Sequence, residues 1–157
     1  MATYVSVAFV DRVERGLVFG RGEWPLHITL VHFTSELPPA SIAELMADPA
    51  RDLLGTAVRI GPDEMFGRRR SVQVSLVEHD PRLQSCHESM VRRLTASDAS
   101  VTSSRQSMEN FRPHVTVTNG RRVHPGDVIE LTQVGLVEMR PDGDATIRRI
   151  PELWSVE

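Results

Sequence analysis

An α+β fold built on largely antiparallel sheet is what this sequence predicts, and three observations predict it. About seven segments are rich in β-branched and aromatic residues, two carry apolar residues near helical spacing, and most connections between strands are too short for parallel crossovers. No linker or low-complexity segment divides the 157 residues, so one domain spanning 1–157 is expected. At this length folding buries about two-thirds of the chain's surface, and the core needs neither disulfide nor metal.

Residues 4–10 alternate partially and read as a central strand. Residues 11–25, rich in glycine and charge and closed by Trp24-Pro25, read as a loop. A second strand is expected over 27–33. Pro38-Pro39 ends it and opens a helix over 41–54, which Pro49 is expected to kink or split. Residues 56–60 and 71–77 read as a hairpin around a long basic loop containing Arg68-Arg69-Arg70. Over 81–96, Leu83, Cys86, Met90, Val91 and Leu94 form an apolar stripe at a period near 3.6, a second helix. The polar run 96–110 reads as a loop or frayed helix end. Strands are then expected over 111–118, 128–139 and 145–156, the last broken by Pro151, with turns at Asn119-Gly120 and 141–143.

Charge and cysteine usage exclude several classes. The net charge is −3, and all 18 basic residues are arginine. A general basic footprint for duplex DNA is absent, and so is any lysine for catalysis or a P-loop. Cys86 stands alone, which excludes an internal disulfide and a multi-cysteine zinc site and fits a reducing cytoplasm. The first ten residues carry no basic n-region, and no 18-residue apolar run follows. A soluble, cytoplasmic chain with no membrane partner is the expectation, and a monomer is favoured.

The chemistry lies in an internal echo. "PLHITL" at 25–30 returns as "RPHVTV" at 112–117, each His-aliphatic-Thr-aliphatic inside an expected strand. Because side chains alternate across a strand, His27 and Thr29 share one face while Ile28 and Leu30 enter the core. His114 and Thr116 repeat the pattern over Val115 and Val117. One such tetrapeptide arises by chance in any half-exposed strand; two, one per half, form a polar site on a rigid base. Imidazole near its ordinary pKa supplies both a base and an acid at neutral pH, and two facing histidines can divide that work across a reacting centre without a metal or cofactor. Threonine hydroxyls can donate hydrogen bonds to oxygens on which charge develops.

On "LHITLVHF" and "FRPHVTVTNG", including the aromatic and proline before the second histidine, the chain resembles the 2H phosphoesterases. These include the 2′,5′-RNA ligase-like proteins and cyclic phosphodiesterases. The resemblance implies two pseudo-symmetric lobes with flanking helices, each bringing one His-x-Thr strand to a central cleft. It implies catalytic His27 and His114, phosphate-binding Thr29 and Thr116, and a nucleotide or RNA-end substrate. The activity implied is hydrolysis of a 2′,3′-cyclic phosphate or a 2′-5′-linked (oligo)nucleotide. A nuclease for cyclic di- or oligonucleotide signals, as in some phage members, and an idle RNA-end binding module are the alternatives.

Residues 105–122 hold Arg105, Arg112, Arg121 and Arg122 against Glu109, a local excess that suits an anion. Arg112 and Arg69 are candidate substrate contacts; the triplet around Arg69 reads equally as a phosphate clamp or a solvated loop. Trp24, Phe33, Phe66 and Phe111 are candidates to stack a base, with core packing expected for at least two of them. His32, five residues after His27, is expected on the opposite face as a packed or surface residue. His79, His87 and His124 show no metal-ligand spacing.

Overall fold

A computed structural model describes residues 1–102 and 107–157. The expected loop over 96–110, and Arg105 with it, lies partly outside the described residues. In chain order the strands are β1 (Ala2–Phe9), β2 (Val18–Gly20), β3 (His27–Ser35), β4 (Ala57–Phe66), β5 (Val72–Val77), β6 (Ser100–Val101), β7 (His114–Thr116), β8 (Val128–Glu130), β9 (Gln133–Glu138) and β10 (Ile147–Ser155). The helices are α1 (Pro39–Leu53) and α2 (Pro81–Ala96).

Among the described residues the strands form one sheet in the order β2-β10-β9-β1-β3-β7-β5-β4-β8, with β6 against β3. Every pairing among them is antiparallel, and the short connections joining β4 to β5 and β9 to β10 admit no other arrangement. The short β3–β7 contact joins a first group of strands, β2, β10, β9, β1 and β3, to a second, β7, β5, β4 and β8.

β1 is central, and its alternation explains why both of its faces are buried. Tyr4 and Ala8 enter the main core with Ile28, Leu30, Phe33, Ile42, Met46 and Met90, where α1 and α2 pack on the sheet. Val5, Val7 and Phe9 enter a smaller core with Phe19, Val137 and Ile150 on the other face. Each fully buried large aliphatic contributes roughly 1.5–3 kcal/mol, so this double burial makes β1 the mechanical centre of the first group.

Both helices begin on a proline in the first turn, whose absent N–H costs nothing there. Asp80 also caps α2, its carboxylate accepting from the amides of Arg82 at 2.8 Å and Leu83 at 3.3 Å. Pro49 does not split α1, which runs continuously to Leu53. A proline at 49 leaves the carbonyl of Leu45 without its helical donor, and Arg93 of α2 supplies one at 3.4 Å. Arg93 also lies 3.6 Å from Asp48 of α1.

Three other expectations are corrected. The strand read over 128–139 is two strands. β8 pairs with β4 in the second group, and β9 pairs with β1 and β10 in the first, so the chain crosses between groups at Leu131-Thr132. β4 runs on past Gly61-Pro62 to Phe66 through a register shift between Ile60 and Asp63, the kind of irregularity that admits proline to a strand. The expected long basic loop shrinks to a tight turn at 67–71. Pro151 likewise produces a register shift in β10 rather than its end.

Candidate active site

Ile28 of β3 pairs with Val115 of β7, and both side chains are fully buried. In an antiparallel pair this register sets Thr29 beside His114 and His27 beside Thr116, all on the face away from the core. The sequence echo is thus a local two-fold arrangement centred on one cross-strand pair. The two histidines come from opposite ends of the chain's order and lie diagonal to one another.

Each ring is oriented by its own strand entrance. His27 Nδ1 donates to the carbonyl of Pro25 at 2.8 Å, and His114 Nδ1 donates to the carbonyl of Arg112, also at 2.8 Å. A carbonyl only accepts, so Nδ1 carries the hydrogen in both rings, and Nε2 is left as the atom that takes up or gives away a proton. Burial pushes the pKa of His27 below its ordinary value of 6.5; the Pro25 carbonyl opposes this, the neighbouring His114 charge adds to it, and Asp11 opposes it. His114 is lowered too, by burial first, with the Arg112 carbonyl raising it and the Arg112 guanidinium lowering it further.

Aromatic rings back both imidazoles. Trp24 tilts against His27 at 4.7 Å between centroids and meets Phe19 edge-on at 5.1 Å. Phe66 stands edge-on to His114, likewise at 4.7 Å, with the Arg112 guanidinium 5.1 Å above its ring. Phe111 stacks face to face on His87 at 4.0 Å and lines cavities on two sides. Phe33 is not a base-stacking residue: it is fully buried against Tyr4. Arg69 sits in the exposed 3-10 turn at Arg68–Arg70 rather than among the residues lining the cavity of Glu64, Phe66, Arg112 and His114.

Among the described residues, three arginines of the local excess are paired with acids. Arg112 pairs with Glu64 at 2.5 Å, Arg121 with Asp11, and Arg122 with Asp63 at 2.6 Å. Counting along the sequence misses these acids because Asp11 lies just past β1, and Asp63 and Glu64 lie on β4, far along the chain. Asp11 also accepts from the amide of Leu26 at 2.7 Å, so the Asp11–Arg121 pair ties the approach to His27 to the turn after β7.

The largest correction concerns His32. Val31 pairs with Ser6 and Thr29 with Val7, so Leu30 is an extra residue, a β-bulge. The bulge reverses the alternation beyond it: Val31 and Phe33 turn to the core, and His32 joins His27 and Thr29 on the open face. His87 is now seen as a strut. Its Nδ1 donates to the carbonyl of Leu30 at 2.6 Å and its Nε2 accepts from the amide of Met108 at 2.8 Å. Among the described residues no group of three His, Cys, Asp or Glu side chains is placed to hold a metal ion.

The family model described as the 2′-5′ RNA ligase superfamily matches residues 6–151. The chain belongs to the 2′-5′ RNA ligase superfamily. Its fold is similar to that of a solved structure described as a phosphoesterase, with a TM-score of 0.62 at 13% identity over 99% of this chain and 98% of the other. It is similar also to E. coli LigT complexed with 3′-AMP, at 0.58 and 16% identity over 99% and 97%. E. coli LigT complexed with ATP gives 0.55 and 14% over 99% and 98%. Among curated proteins none matches. Membership in the 2′-5′ RNA ligase superfamily, also called the 2H phosphoesterases, agrees with a curled antiparallel sheet and two helices. No described helix is long and apolar enough to cross a membrane.

Proposed function

We propose that the protein is a metal-independent phosphoesterase that hydrolyses a 2′,3′-cyclic phosphate or a 2′-5′-linked (oligo)nucleotide, with His27 and His114 as general acid and base. The observation that carries this reading is the Ile28–Val115 pairing, which gathers two His–Thr pairs on one open face, with both Nε2 atoms unused among the described residues. Water attacks phosphorus as one neutral imidazole takes its proton at Nε2. The bond from phosphorus to one ribose oxygen breaks, and that oxygen receives the proton held on the other imidazolium. Among the described residues neither Thr29 nor Thr116 has a hydrogen-bond partner for its hydroxyl, which leaves both hydroxyls to donate to the phosphoryl oxygens. Trp24 and Phe111 supply apolar walls for the nucleoside, and Arg112 a cation once it releases Glu64. The protein is expected to act as one domain and in the cytoplasm.

A panel of 2′,3′-cyclic nucleotides and 2′-5′-linked dinucleotides, assayed with EDTA, tests the proposal. Turnover undiminished by the chelator is the expected result. Activity that requires added metal sinks the mechanism, and binding without turnover favours an RNA-end binding module. The pH dependence of kcat/KM adds a sharper check. One imidazole must be neutral and one protonated, so the profile is a bell centred midway between the pair's two apparent pKa values. Because both are lowered from 6.5, the maximum is expected on the acid side of 6.5. A maximum above pH 7 contradicts the two-histidine assignment.

A further inference from the structure

We infer that His32 is a base-reading residue: its Nε2 accepts a hydrogen bond from an amino group of the nucleobase whose phosphate lies between His27 and His114. The inference rests on the phosphoesterase reading for where the phosphate sits, and on three observations of its own.

The first is position. The bulge at Leu30 brings His32 onto the open face, and because Thr29 pairs with Val7 and His32 with Val5, the two lie two steps of the paired strand apart, about 7 Å. That is a span which a nucleoside can bridge from its phosphate to the far edge of its base. The second is tautomer. The Thr102 hydroxyl donates to the carbonyl of His32 at 3.0 Å, which commits its single hydrogen. The contact between Thr102 Oγ1 and His32 Nδ1 therefore has the ring as donor, and Nε2 is left as an acceptor with no partner among the described residues. The third is the cavity of about 70 Å³ that His32 shares with Thr29 and His114, walled by Val31, Val101 and Phe111. A void that takes a whole benzene ring is about 150 Å³, so this one admits the edge of a planar ring and not the ring itself.

These features select a nucleobase amino group over a second phosphate. Phosphate oxygens accept, and a neutral imidazole presenting Nε2 also accepts, so the two do not bond. Burial pushes the His32 pKa below 6.5, which keeps the ring neutral at pH 7. An exocyclic amine, as on adenine or cytosine, is a donor that projects from the ring edge into such a cavity.

The test is calorimetric and needs no turnover. Adenosine 3′-monophosphate is compared with purine riboside 3′-monophosphate, which carries hydrogen in place of the amino group. The unmodified protein is expected to bind the first several-fold to about tenfold more tightly, the worth of one neutral hydrogen bond. His32→Asn keeps a donor for Thr102 and removes the acceptor at Nε2; it is expected to erase the preference while leaving purine riboside 3′-monophosphate binding unchanged. His32→Gln, whose amide oxygen reaches the Nε2 position, is expected to restore it. Equal affinity for both ligands in the unmodified protein, or a His32→Asn loss shared by both, overturns the inference. A preference found in protein that cleaves no cyclic nucleotide removes the phosphoesterase reading and leaves the base-reading role standing.

Discussion

Replacing either His27 or His114 with alanine is expected to lower kcat/KM for a 2′,3′-cyclic nucleotide by roughly a hundredfold to ten-thousandfold, the range of general acid–base catalysis. The two losses are not expected to multiply. A base that deprotonates water gains nothing when the leaving oxygen cannot be protonated, so the double variant should fall close to the worse single variant. Neither side chain is part of the apolar core, and each gives the fold one hydrogen bond to a carbonyl two residues earlier and one aromatic contact. Circular dichroism and the denaturation midpoint should therefore move little. Retention of more than a tenth of the activity in either variant, at unchanged stability, removes that histidine from the chemistry. Thr29→Val and Thr116→Val supply an internal comparison: each removes one hydroxyl aimed at the proposed phosphate and should cost less than loss of its neighbouring imidazole.

The same residues show how far sequence reasoning reaches. Alternation along a strand is a local property, so the facing of His27, Thr29, His114 and Thr116 away from Ile28 and Val115 was readable at once. Their meeting needed a long-range pairing, and only the duplicated motif hinted at it. Where a long-range event alters local geometry, local rules fail. Strand alternation alone puts His32 on the wrong face, because the Leu30 bulge is defined by β1 across the ladder and by the His87 bond, not by any residue beside it. The arginine excess over 105–122 failed for a related reason. Charge was summed along the chain, while Glu64, Asp11 and Asp63 arrive from distant segments to pair with Arg112, Arg121 and Arg122. Pro49 is the converse case: its local rule is sound, and a side chain from α2 satisfies the carbonyl that the rule leaves bare.

Substituting His87 with leucine is expected to destabilise the protein by about 3 kcal/mol, and to do so by unpairing two backbone groups. His87 is 2% exposed. Its ring satisfies the carbonyl of Leu30 and the amide of Met108 together, and each left unpaired in the interior costs about 1–3 kcal/mol. The lost stack on Phe111 adds roughly 0.5–1.5 kcal/mol, and leucine's apolar bulk returns part of the total. The ring can hold both bonds only while neutral, because protonation would turn Nε2 from acceptor to donor against the Met108 amide. Burial accordingly lowers the His87 pKa, against the opposing pull of the Leu30 carbonyl and Glu88. With the folded pKa below the ordinary 6.5, the unfolded chain takes up the proton first, so stability falls as pH drops below about 6.5. His27, His32 and His114 are shifted in the same direction and steepen that fall. In His87→Leu one of the four contributions is gone. Its unfolding free energy should start lower at pH 7.5 yet decline less steeply on acidification, by up to about 1.4 kcal/mol per pH unit for the missing proton. Urea denaturation at stepped pH reads both effects. A variant that loses stability at pH 7.5 but keeps the full acid slope would show that folding does not lower the His87 pKa, contrary to its two bonds.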